Sequence, residues 1–215
     1  MTISIREPVN GFTHLFGAIM AFAGLLALVT KATAVTGSAV AIMSVIIFGV
    51  SMILLYAASA TYHMVVADDK VIAFLRRIDH SMIFVLIAGT YAPLCLISLS
   101  GTTGWILFTV ISIIALAGVT FKLVWFHAPR WLSTALYVLM GWIVIFFSAE
   151  LAPIIGTGGM TFLILGGMVY TIGALIYWLK PKFMTFKHFG YHEIFHIFIL
   201  IGSLFHFVSI YFYVL

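Results

Sequence analysis

A chain of 215 residues that is 64% hydrophobic and 7% charged carries far less charge than the roughly 25% of a water-soluble domain, so lipid must solvate most of its exterior. The formal net charge of +4 is divided among short segments beside apolar runs, which excludes a folded basic surface for nucleic acid and fits anionic headgroups at a membrane face. The single cysteine, Cys95, excludes an intrachain disulfide, a cysteine-rich zinc site and a c-type haem attachment.

A membrane-spanning helix needs roughly 20 mostly apolar residues. Seven stretches qualify in chain order: residues 11–30, 35–64, 79–99, 105–126, 131–151, 159–179 and 191–214. The first is long enough to span and shows no small-residue cleavage site, so it reads as a resident helix rather than a removed leader. Strands are excluded because the runs are too long and do not alternate apolar with polar. Short connections carry breakers or polar residues: Thr36-Gly37-Ser38, then Ser100-Gly101-Thr102-Thr103-Gly104, then Gly156-Thr157-Gly158-Gly159. With no linker, low-complexity tract or repeat, residues 1–215 read as one all-α domain, a polytopic seven-transmembrane helix bundle of the cell membrane.

The cations orient it. Arg6, Lys70, Arg76, Arg77, Lys122, Arg130, Lys180, Lys182 and Lys187 fall in the amino terminus and the loops on its side of the membrane; Lys31 alone falls on the other. Positively charged loops face the cytoplasm. The amino terminus is therefore expected inside and the carboxyl terminus, after seven spans, outside.

Ionisable side chains within spans are costly and mark function. The second span ends in Ser59-Ala60-Thr61-Tyr62-His63, the third begins Asp79-His80-Ser81, and the seventh begins Tyr191-His192-Glu193-Ile194-Phe195-His196. His192 and His196, four residues apart, share a helix face about 6 Å apart along the axis, a spacing at which two imidazoles can bind one zinc ion. His63 matches them in depth and is a candidate third ligand. Asp79, at the same depth, suits a direct ligand or a group that holds and deprotonates water. Ser59, one turn before His63, suits an outer hydrogen bond or polarisation of a substrate carbonyl.

Plainer readings stand beside these. His14, His80, His127 and His188 read as solvated interfacial residues. Asp79 alone would cap the third helix; Ser59 alone would be a small residue at a helix contact. His206 is about 15 Å beyond His196, too far to share its metal, and is expected to hydrogen-bond inside the bundle. His192 to His196 also fits H-E-x-x-H, the metalloprotease pattern, but Glu193 points about 100° away from His192. It is expected to face headgroups or a loop cation. Glu150 lies near the outer end of the fifth span.

Taken together, Arg6-Glu7-Pro8-Val9-Asn10-Gly11-Phe12-Thr13-His14, the S-x-x-x-H of Ser59 to His63, Arg77-Ile78-Asp79-His80-Ser81, Ile87-Ala88-Gly89-Thr90-Tyr91-Ala92-Pro93 and the H-x-x-x-H of the last span resemble, over essentially the whole chain, the bacterial hemolysin III proteins. These belong to the progestin-and-adipoQ-receptor family that includes the adiponectin receptors. The resemblance, shared with alkaline ceramidases, implies a Zn2+ site near the cytoplasmic side. Its ligands would be His63, His192 and His196, with a water in the fourth position held by Asp79. It further implies a zinc-dependent hydrolase of a lipid amide or ester, or a membrane-homeostasis sensor built on one. Membrane lipids are the expected partners. The rivals are a structural zinc without chemistry, an intramembrane metalloprotease and a pore-forming haemolysin. No span shows the repeated polar face that would line a pore.

Overall fold

The computed structural model describes residues 4–125, 127–182 and 189–215. Among these, every regular element is helical. The elements are α1 (Pro8–Val35), α2 (Ala39–Met64), α3 (Asp69–Pro93), α4 (Gly101–Val124), α5 (Arg130–Trp142), α6 (Ser148–Leu179) and α7 (Tyr191–Ser209). α3 runs on as a π-helical segment, Leu94–Leu99, and α7 as another, Ile210–Val214. Neighbours in sequence pack side by side, and α7 also packs against α1, so the helices close around a shared interior. Large apolar side chains such as Phe16, Leu116, Leu139 and Phe146 remain exposed on the outside, as a lipid-solvated surface requires.

Local chemistry sets the ends of these helices. Pro8 sits in the first turn of α1, where its missing N–H costs nothing. At α2, Ser38 accepts from the Ala41 N–H at 3.4 Å, and Gly37 supplies the positive φ of 58° that turns the chain. The segment before α1 satisfies the last carbonyls of α2: Glu7 N–H donates to His63 O at 2.9 Å and the Arg6 guanidinium to Tyr62 O at 2.5 Å. A cation at a helix carboxyl end also complements its dipole.

Six helical stretches among the described residues are long and apolar enough to cross a membrane: Pro8–Val35, Ala39–Met64, Asp69–Leu99, Gly101–Val124, Arg130–Leu179 and Tyr191–Val214. The fifth is 50 residues long and is not straight. Gly156 breaks it with φ 65° and ψ 176°, a conformation that favours glycine. Beyond it the chain returns, so that Trp142 Nε1 donates to Thr171 Oγ1 at 2.9 Å.

α3 departs from expectation. It starts at Asp69, ten residues before the apolar window that begins at Asp79. A hydropathy threshold rejects the stretch containing Lys70, Arg76 and Arg77, but the helix has already begun there, with Lys70 exposed and Arg76 and Arg77 half-buried. Asp79 therefore lies about 15 Å inside α3 and does not cap it. Deeper in the bundle, Gly89 lets α3 approach α2 so closely that a methyl group there would meet Ser51 Oγ at 2.1 Å, the small-residue contact typical of membrane helices. Tyr56 of α2 donates to Ser203 Oγ of α7 at 2.5 Å, and Tyr170 of α6 hydrogen-bonds the same oxygen at 2.7 Å.

Candidate metal centre

At the end of the bundle where α2 finishes and α7 begins, three imidazoles meet. Nitrogen atoms of His63, His192 and His196 all lie within 4.8 Å of one another. His63 and His196 are 1% and 2% exposed, so the nitrogens face each other away from solvent. His63 Nε2 and His192 Nε2 stand 3.3 Å apart. Two imidazole nitrogens bound at 2.0–2.1 Å to one tetrahedral zinc ion would be separated by about 3.3 Å. Lone pairs do not approach so closely without a proton or a cation between them, so the donor set fits a divalent ion.

The surrounding residues orient the rings. His63 Nδ1 pairs with Glu7 Oε2 at 2.5 Å, leaving Nε2 for the cluster; a carboxylate behind a ligand histidine fixes its tautomer and raises its basicity. The hydrogen bond from His63 holds the Glu7 carboxyl down to about 2, against burial that pushes it up, with the neighbouring cationic charge of Arg6 adding to the lowering. Glu7 is thus an anion throughout the neutral range. His196 Nδ1 lies 3.4 Å from Thr13 Oγ1, and its ring stacks on His14 with centroids 3.6 Å apart. Glu7→Gln is expected to weaken zinc binding about 10- to 100-fold, read by competition with a chromophoric chelator. Unchanged affinity would separate Glu7 from the ion.

A cavity of about 390 Å³ opens onto the cluster, and Ser59, Asp79, His14, His192 and His196 are among its lining residues. Asp79 is 8% exposed and is near enough to His63 and Ser59 to feel both. Ser59 Oγ is buried beside the Asp79 carboxyl and lines the cavity, so it can donate to Asp79 or to something entering the cavity. Farther along, the walls become apolar at Met160, Leu163 and Ile164.

Several expectations change here. His14 is not solvated: it is buried, with both ring nitrogens unpartnered, because α7 covers it. His80 is half-buried and lines the cavity; His127 is exposed at its rim. Lys187 and His188 lie outside the described residues. Glu193 faces neither headgroups nor a cation. Its carboxylate accepts the Gly190 N–H at 2.8 Å, capping α7, and the Asn10 side-chain amide at 2.8 Å. Both oxygens are thereby engaged, which removes Glu193 as the base of an H-E-x-x-H protease. His206 does face the interior, but it stacks on Tyr170 and its Nδ1 has no partner. Sequence reasoning missed the role of Glu7, although Glu7 stands in the first motif quoted above.

Fold and site together define a multi-pass helical protein of the cell membrane carrying a three-histidine cluster fit to hold a metal ion. The profile of the family described as haemolysin-III related matches residues 3–207. Hemolysin-3 of Bacillus cereus is 37% identical over 219 residues, covering 100% of this chain and 95% of that protein. The Hemolysin-3 homolog of Bacillus subtilis (strain 168) is 39% identical over 212 residues, covering 98% and 95% respectively. The chain belongs to the haemolysin-III-related family.

Proposed function

We propose that the chain crosses the membrane seven times with its amino terminus inside, and that it is a zinc-dependent hydrolase of lipid amides or esters. The count rests on the 50-residue stretch Arg130–Leu179. Straight, it would measure about 75 Å, more than twice a hydrocarbon core of about 30 Å; the turn at Gly156 makes it two crossings. The orientation rests on the cations named above. Cys95 is buried, so single added cysteines report sidedness. Thr36→Cys is expected to react with an impermeant maleimide on intact cells and Lys182→Cys to react only after lysis. The opposite pattern would invert the topology.

The observation that carries the hydrolase reading is one cavity lined by His192 and His196 of the cluster, by Asp79 and Ser59, and by apolar residues such as Met160 and Leu163. A zinc ion held by His63, His192 and His196 would supply a Lewis acid and lower the pKa of a water to about 7. Asp79 takes the proton of the attacking water and returns it to the leaving nitrogen or oxygen as the carbonyl carbon exchanges that atom for the water oxygen. Ser59 Oγ–H, beside Asp79 on the cavity wall, turns to donate to the substrate carbonyl oxygen. The apolar walls receive the acyl chain. The test is zinc analysis of the purified protein together with a panel of lipid amides and esters. Bound zinc with turnover is expected; bound zinc with no turnover on any lipid rejects the enzyme.

A second reading, a zinc-clamped sensor without chemistry, draws on the ligands coming from α2 and α7, with Glu7 joining the segment before α1 to His63. It is distinguished by a membrane-composition phenotype that survives Asp79→Ala but not His196→Ala.

A further inference from the structure

The cavity is lined by cations as well as by histidines. Lys122, in the last turn of α4, is 4% exposed. Its Nζ donates to Ser133 Oγ of α5 at 3.0 Å. Arg76 of α3 and Arg130, the first residue of α5, line the same cavity. Arg76 is close enough to Lys122 for the two charges to oppose each other, and the Arg130 guanidinium lies over the Tyr177 ring at 5.4 Å.

The carboxylates lie apart from the Lys122 ammonium. Of the six acidic residues, Glu7 pairs with His63 and Glu193 caps α7. Glu150 is exposed near the Gly156 turn, and Asp68 and Asp69 are exposed at the start of α3. Asp79 faces His63 and Ser59 and also feels the charge of Arg76. Among the described residues no carboxylate forms an ion pair with Lys122. An ammonium has three donors, and the described protein groups receive one of them. A buried cation without a counter-ion is costly, and here it is joined on one cavity wall by two guanidinium groups. That arrangement selects a multiply charged anion, which planar guanidinium forks and a lysine point charge bind together.

We propose that this cationic part of the cavity wall binds the phosphate-monoester headgroup of a single-chain lipid, with Lys122 as the central contact and Arg76 and Arg130 flanking it. The chain lies along the apolar wall at Met160, Leu163 and Ile164. A cavity of about 390 Å³ is within the usual range for a small amphiphile. None of these three cations belongs to the histidine cluster, and binding there holds whether or not the histidines support hydrolysis.

The experiment uses the full-length protein in neutral detergent and three probes: oleoyl-glycerol phosphate, neutral oleoylglycerol and inorganic phosphate. The phosphorylated lipid is expected to bind at least about tenfold tighter than the neutral one, the size of one or two charge-assisted hydrogen bonds. Lys122→Met abolishes that preference while leaving affinity for oleoylglycerol and the melting profile unchanged. Lys122→Arg retains it. Arg130→Gln weakens it, and carries the test should Lys122→Met fail to fold. Equal binding of the two lipids by the wild type, a preference that survives Lys122→Met, or one that is undiminished in Arg130→Gln, overturns the proposal. Inorganic phosphate binding as tightly as the phosphorylated lipid overturns its lipid half and leaves a free-phosphate site.

Discussion

His196→Ala is expected to remove stoichiometric zinc from the purified protein: about one ion per chain in the wild type, and an affinity at least 100-fold weaker in the variant, since a direct ligand matters more than the outer-shell residues whose loss costs 10- to 100-fold. The three nitrogens lie within 4.8 Å of one another and two of the rings are buried. Two controls give the result its meaning. His206→Ala alters an equally buried histidine about 15 Å from the cluster and is expected to keep the zinc. His14→Ala removes the ring stacked on His196 without removing a ligand, and is expected to weaken binding only several-fold. Mass-spectrometric metal analysis after chelator exchange is the measurement. A full equivalent of zinc in His196→Ala would mean that the ion is held elsewhere.

Asp79→Asn is expected to leave zinc in place and lower hydrolysis of the best lipid substrate about 10²- to 10⁴-fold, the usual contribution of a positioned acid–base group. Asparagine keeps the shape of the buried side chain but cannot take up the water's proton. Asp79 forms no part of the three-nitrogen cluster, so metal content and turnover should separate in this variant, whereas in His196→Ala they fall together. Equal loss of zinc in Asp79→Asn would make Asp79 a ligand. Undiminished turnover would move the base to another residue.

The helices were legible because runs of about 20 apolar residues have one solution in lipid, where every backbone amide must be bonded within its own segment. The turns at Gly37, Gly101 and Gly156 announced themselves by residues that tolerate positive φ. The start of α3 was not legible, because Lys70, Arg76 and Arg77 lower the mean hydropathy of a stretch that is helical regardless. The meeting of His192 with His196 follows from a spacing of four; their meeting with His63 requires α2 and α7 to be close, which helix order along the chain does not dictate. Glu7 was overlooked because it precedes the first span and carries no spacing relation to His63, 56 residues away. His14 was misjudged because depth near a helix end says nothing about whether another helix covers it. Lys122 looked like a loop cation for the same reason: its position at the end of a span suits a headgroup contact, while its burial depends on where α5 packs.

The two helices that present the imidazoles are joined a second time, farther from the membrane face. Tyr56 stands seven residues before His63 and Ser203 seven residues after His196, so on two antiparallel rods the Tyr56–Ser203 bond lies about 10 Å from the cluster. A one-turn slip of either rod, about 5.4 Å, would break that bond and scatter the nitrogens at once. Two side-chain fastenings between the same pair of rods forbid sliding that a single one would allow. Chelation should therefore leave an emptied socket that keeps its outline, and reloading should proceed without refolding.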